Sequence, residues 1–274
     1  MVAFFILTLV KLNQKEKEKL SRTKIKSEES GRMHKFSLIS SVIVVALGLS
    51  ACQKNGDTQQ DIVLIDAKTV AVQLPQNEVC TVDGCTQYDF QNIQTGIAWI
   101  DDYFLDRLKK MDPVAFEKAK NLEQNTDNQK LPSISQANIR FLGQNKNLAT
   151  FVMHTYTYPA GAAHGMYHEE YVNFDLKNKK RITVQDLVQK ESEAKLVQAL
   201  YEYNQNWLLE KEIKAEDLKL SDNFYYGAQG IVFVYSLYDL ASYADGMSEL
   251  LLPYHAVEDL INPEYLPSLP QFPK

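Results

Sequence analysis

The chain has 274 residues, 45% apolar and 23% charged, a globular balance that excludes wholesale disorder and supplies one large core or two small ones. Its formal charge of −6 is unevenly placed: residues 1–51 hold nine of the 29 Lys and Arg and four of the 35 Asp and Glu, which leaves 20 basic against 31 acidic residues, a net of −11. Nucleic acid is thereby excluded as an expected partner, because its binding is led by phosphate neutralisation, whereas basic proteins and cations are favoured.

Residues 1–32 run from an apolar start, Val2 to Val10, into a basic stretch from Lys11 to Arg32. They read as an upstream extension of the frame, with Met33 as the start. Met33-His34-Lys35 then forms a positive n-region, and Phe36 to Leu49 an apolar stretch of about 14 residues, short of the roughly 20 that span a bilayer, so residues 33–51 read as a signal peptide. Leu49-Ser50-Ala51-Cys52 resembles the bacterial lipobox, which implies a lipid on Cys52 and the membrane as a partner through that lipid. Gln53 rather than Asp after the anchor resembles the outer-membrane sorting pattern. The expected location is the cell envelope, anchored facing the periplasm at the outer membrane. Residues 52–60 are polar and read as a tether.

Ile62 to Leu74 alternates loosely and suggests one or two strands ending at Pro75. Cys80 and Cys85 bracket a segment whose Asp83-Gly84 is a tight-turn signal, so in an oxidising compartment the two are expected to pair across it. A zinc site competes, but two thiols without nearby histidines make half a site at most. Ile93, Ile97, Ile100, Phe104, Leu108 and Met111 recur at spacings of three and four, which predicts a helix over 91–111 that stops before Asp112-Pro113. A second, shorter helix is expected from Val114 to Asn128, running into a polar loop.

From Ile134 the pattern changes to strands, 134–142 and 148–158, joined at 143–147; the second is rich in aromatic and β-branched residues and is expected centrally in an antiparallel sheet. Further strands are expected at Glu169 to Leu176 and Ile182 to Val184. A long helix follows over 191–214 with Leu196, Leu200, Tyr203, Trp207 and Leu208 inward. Phe224 to Tyr226, Ile231 to Leu237 and Met247 to Pro253 are the closing extended segments before a Pro-rich tail, 265–274. The fold class is α+β, antiparallel sheets packed against a few amphipathic helices. A smaller subdomain over 61–130 and a larger one over 131–264 are expected.

The most unusual segment runs from Tyr156 to His168, where Pro159-Ala160-Gly161-Ala162-Ala163 precedes His164, Gly165, Tyr167 and His168. Small residues allow close approach, while the histidines and tyrosines bring polar tips on apolar bodies. His164 and His168 have helical metal-ligand spacing, but Gly165 and the following strand oppose a helix and no third ligand is evident, so neither metal nor cofactor is expected. His164 with Glu169 or Glu170 could act as a general base, making the chain an envelope hydrolase or deacetylase; no nucleophile motif accompanies it. The bland alternative is a purely structural envelope lipoprotein, its loop packed on the sheet with His164 bonded to backbone. A binding surface is the favoured reading, with His164, Gly165, Tyr167, His168, Tyr225, Tyr226 and Tyr243 as contacts. Tyr235, Tyr238 and Tyr254 extend the aromatic concentration, Tyr235 as a core candidate.

Ala160-Gly161-Ala162-Ala163-His164-Gly165, Tyr171-Val172-Asn173-Phe174-Asp175-Leu176, Arg181 to Val188, Asn223-Phe224-Tyr225-Tyr226, Gly230 to Phe233 and Ala241 to Gly246 resemble, in order and spacing over 134–260, the RsiV-like domain family. Residues 60–130 are similar to the smaller domain that often precedes it. Members look like extracytoplasmic α+β domains; one is the ectodomain of an anti-sigma factor that senses lysozyme, and others sit beside peptidoglycan-deacetylase domains. The resemblance implies binding of a cell-wall component such as peptidoglycan, or of a basic wall-degrading protein such as lysozyme. This chain departs from it in having a lipid anchor in place of a transmembrane helix, no sigma-binding segment and no deacetylase domain, so signalling and deacetylation do not carry over.

Overall fold

The computed structural model describes residues 62–81, 84–117 and 131–268. The signal segment, Cys52, the tether and the end of the Pro-rich tail lie outside the described residues. Alternating apolar residues build a seven-stranded sheet from β1 (Lys68–Ala71), β2 (Glu78–Thr81), β3 (Gly84–Gln94), β4 (Ser133–Asn145), β5 (Leu148–Tyr158), β6 (Met166–Asp175) and β7 (Lys180–Ile182). Its order is β1-β3-β4-β5-β6-β7, with β2 also paired to β3. Every pairing is antiparallel except β3 with β4. That parallel pair needs a crossover, which helix α1 (Ala98–Met111) helps supply. As expected, β5 lies between two antiparallel neighbours. A second sheet of three strands, in the order β10 (Ser248–Pro253), β9 (Gly230–Tyr235), β8 (Phe224–Tyr226), accompanies the short helix α2 (Val184–Leu187) and helices α3 (Glu193–Tyr203) and α4 (Gln205–Glu210). The fold is thus α+β. No described helix is long and apolar enough to cross a membrane.

Two cores share the large sheet. Ile100, Phe104 and Leu108 of α1 pack on Phe90, Ile139, Phe151 and Phe174. On the opposite side Leu148 and Ile182 join Leu196, Leu200, Phe224, Phe233 and Leu252. The sheet runs across residue 130, and the α1 core draws on both sides of it.

Three elements differ from expectation. The helix expected at 91 begins at Ala98, because β3 continues to Gln94. Thr95 and Gly96, the latter at φ +74°, turn the chain, and Asp101 accepts from the Thr95 amide at 2.8 Å and its hydroxyl at 2.5 Å. Ile93 is buried, but as a strand residue whose distance to Ile97 mimics a helical step. After Pro113 the chain makes a 3-10 turn to Phe116, and residues 118–128 of the expected second helix lie outside the described residues. The helix expected over 191–214 is two, broken at Asn204, whose side-chain amide donates to Leu200 O at 2.7 Å and Leu251 O at 3.0 Å. Tyr203, expected inward, is therefore 49% exposed at the break.

Candidate functional site

Residues 148–153 of β5 are all buried, whereas 154–158 are open or half-buried. The three-stranded sheet packs against the Leu148 end and leaves the other half of that face uncovered. Cross-strand register sets out the uncovered half in two rows. Gln91, Asn138, His154 and Glu169 are successive partners across β3, β4, β5 and β6, and Asp89, Gln136, Tyr156 and Tyr167 are the row beside them. Paired residues share a face, so these eight side chains form one surface, lining a groove of about 370 Å³.

At the β5–β6 end the polar groups are locked to each other. Arg140 donates to His154 Nε2 at 3.0 and 3.2 Å, and His154 Nδ1 meets Glu169 Oε1 at 3.0 Å. An arginine can only donate, so Nε2 accepts and Nδ1 carries the proton towards Glu169. Tyr171 donates to the other oxygen of Glu169 at 3.0 Å and stacks on Tyr225, with ring centroids 4.4 Å apart. Burial, reinforced by Glu169, pushes the Tyr171 phenol up. Tyr225, pushed up to about 12 by burial and by Glu249, donates to that carboxylate at 3.2 Å.

The loop before β6 and the turn before β10 pack beside Tyr156 and Tyr167 at one end of the groove. Gly165 lies over Tyr156 so closely that a β-carbon there would overlap the phenol ring. The Gly165 carbonyl accepts from Tyr243 at 2.9 Å and from His164 Nδ1 at 3.0 Å, and the His164 and Tyr243 rings stack at 4.3 Å. Lys211 and Asp245, 2.5 Å apart, hold the turn that carries Tyr243, and Lys211 with Ser242 keeps the Asp245 carboxyl below its usual range.

His164, Gly165, Tyr167 and Tyr243 are thus brought together, and Tyr225 joins the adjoining wall through Tyr171. His168 pairs with Thr155 and by alternation points to the α1 side of the sheet, away from Tyr167. Tyr226 faces the second core with its hydroxyl buried and no partner among the described residues. His164 has no carboxylate partner among the described residues: Glu169 is held by His154 and Tyr171, and Glu170 pairs with Arg107 from α1. Cys80 and Cys85 are directly opposite in the β2–β3 hairpin and form a disulfide. Glu78 lies close enough to make a trio of ligand atoms, but the disulfide removes both thiolates.

Asp89, Gln91, Gln136, Asn138 and His154 were not singled out in the sequence. For Gln136 and Asn138 the signal is the strict alternation Gln136, Asn138, Arg140 against Ala137, Ile139, Phe141, which marks a strand with one polar face. Their convergence depends on the parallel register of β3 on β4, which no local pattern reports.

Residues 174–255 match the profile of a family described as a protein of unknown function, DUF3298. This segment is similar to the domain of that family. It contributes β7 to β10 and the helices between them, hence Tyr225 and Tyr243 beside the groove, while the groove floor lies upstream of it. The whole fold is similar to a DUF3298 family protein from Pseudomonas aeruginosa PAO1, with a TM-score of 0.57 and 17% identity over 76% of this chain and 99% of that one. A DUF3298 family member from Bacteroides fragilis aligns with a TM-score of 0.49 and 18% identity over 73% of this chain and 95% of that one. The Pseudomonas likeness is one of fold. No curated protein matches the chain.

Proposed function

We propose that the protein is a lipid-anchored cell-envelope protein whose domain binds cell-wall glycan in the groove across β3 to β6. The observation that carries this reading is the uncovered half of the sheet face, where side-chain amides and a carboxylate lie beside the exposed Tyr167 and the half-buried Tyr156. Amides and carboxylates complement sugar hydroxyls, and aromatic faces pack on the apolar faces of sugar rings. The lipobox at Cys52 and the resemblance to RsiV-like extracytoplasmic domains supply the compartment. A basic wall-degrading protein is a second reading, favoured by the net −11 beyond residue 51. Such attraction steers encounter without conferring specificity.

Calorimetric titration of the purified protein with muropeptides and with hen-type lysozyme, at about 0.15 M salt where surface attraction is screened beyond ~8 Å, separates the two. Saturable heat with muropeptides supports the glycan reading. Heat with lysozyme alone replaces it by the protein reading, and silence with both removes each of them.

A further inference from the structure

The two ends of the groove differ in the hydrogen-bonding capacity they leave unused. At the β5–β6 end His154 and Glu169 are committed to Arg140, Tyr171 and each other. At the β3–β4 end, Asn138 Nδ2 donates to Gln91 Oε1 at 2.9 Å, and this is the only hydrogen bond of either side chain among the described residues. Neither Asp89 nor Gln136 makes a side-chain hydrogen bond among them. One end is therefore a fixed floor bearing Tyr156 and Tyr167, the latter 38% exposed, and the other a patch of three amides and a carboxylate with donors and acceptors to spare.

The shape is equally one-sided. Along the strands the two rows lie about 7 Å apart, and at the β3–β4 end the face runs on into a shallow pocket at Gln87 and Ile134. The Tyr171–Tyr225 stack closes one side. On the other, the loop folds back with Tyr158 donating to Ala162 O and the Ala160 amide to Ser133 Oγ. Across the strands, three inter-strand spacings give a length of about 14 Å, which is that of about three linked pyranose rings.

Resting on the glycan reading, we infer that the groove takes a linear N-acetylated hexosamine oligomer of about three rings, laid across the strands, its acetamido and hydroxyl groups on Asp89, Gln91, Gln136 and Asn138 and its terminal ring face on Tyr156 and Tyr167. An acetamido group presents one donor and one acceptor, the complement of a side-chain amide. An extended peptide fits less well, because sheet recognition of peptides uses an unpaired strand edge, and β4 and β5 are paired on both sides.

The test is calorimetric titration with β-1,4-linked N-acetylglucosamine oligomers of graded length, from a single ring to a pentamer, on the full chain and on Q136A/N138A, Tyr167→Ala and Tyr167→Phe variants. Affinity is expected to rise at least about tenfold from the monomer to the trimer and to level off beyond it. The amide double variant and Tyr167→Ala each lose about tenfold for the trimer with an unchanged melting temperature, and Tyr167→Phe restores it. A monomer bound as tightly as the trimer overturns the three-ring span and leaves the glycan reading standing. Trimer binding indifferent to all three variants overturns the placement. Muropeptides bound while bare oligomers are not would make the peptide stem the ligand and overturn the inference; failure of both overturns the glycan reading with it.

Discussion

At Gly165 the chain passes over Tyr156 with no room for a β-carbon, while the same residue's carbonyl collects two donors, the Tyr243 hydroxyl and His164 Nδ1. Gly246 plays a related part on the opposing turn: at φ +79°, with the Tyr167 hydroxyl 2.9 Å from where a β-carbon would sit, it is both conformationally and sterically a glycine position. Gly165→Ala must push the Tyr156 ring out of the groove floor or lift the loop. The cost is about 1 kcal/mol, at the low end for overpacking, because the atoms met are the far end of a half-buried tyrosine. For a domain of this size each 1 kcal/mol lowers the melting temperature by about 2–4 °C. Differential scanning calorimetry should show such a drop together with weakened ligand binding; a variant as stable as the parent would mean that Tyr156 is free to move. His164 is in turn fixed by its stack on Tyr243 and its bond to Gly165, beside the groove rather than in its lining. The histidine best integrated into the floor is His154, which the small-residue loop around His164 overshadows in the sequence.

Several elements end on side-chain amides that imitate a neighbouring strand. Gln144 accepts from the Ile65 amide and donates to Val63 O; Asn145 does the same for Ser268; Asn204 for Leu251; Asn223 accepts from the Tyr171 amide at 2.7 Å and donates to Glu169 O at 2.7 Å. Asn204 and Asn223 satisfy edge groups of β10 and β6 that would otherwise invite another strand. Asn223 matters most for the site, because it fixes β6 at Glu169 and Tyr171, two members of the locked network. Asn223→Ala leaves a donor and an acceptor of β6 unpaired, at about 1–3 kcal/mol for each group that water cannot reach. Urea denaturation should show a lowered midpoint, and hydrogen exchange should show faster loss at the Tyr171 amide; an unchanged exchange rate there would mean that solvent replaces the amide without cost. Such clamps also explain which elements were legible in the sequence. The strands β4 to β6 and β8 to β10 follow from alternation and turn residues to within a few positions. The break at Asn204 does not, because Asn is tolerated within a helix and its tie to Leu251 spans the distance to β10. The start of α1 is not legible either, because Ile93 and Ile97 keep a helical interval across the Thr95-Gly96 turn. The groove was the least legible feature, since its rows exist only once four strands are in register.

At the scale of the whole molecule, the second sheet buries tyrosines as well as aliphatic residues, and this shapes its response to pH. Burial raises the phenols of Tyr171, Tyr226 and Tyr235, and pushes Tyr225 and Tyr254 up to about 12. In the unfolded chain the same phenols ionise near 10. Between about pH 10 and 12 the folded state therefore holds more protons than the unfolded one, and stability falls as pH rises through that window. At the acid end Asp186 and Asp245 act in the opposite sense. Burial alone would raise Asp186, but hydrogen bonds from Lys180 and Thr183 prevail and hold it below its usual range, while Lys211 and Ser242 lower Asp245. Their contribution is present above the unfolded carboxyl value of about 3.9 and is lost as pH falls through the folded one. Asp112, raised by burial, contributes a slope of opposite sign in its own window. Urea midpoints measured from pH 2 to 12 should thus fall at both ends, with the alkaline fall beginning near 10. Tyrosinate absorbance of the folded protein should show a late-titrating group that Tyr225→Phe removes, together with part of the alkaline slope. If that variant left both unchanged, the phenol against Glu249 would not be among those that titrate late.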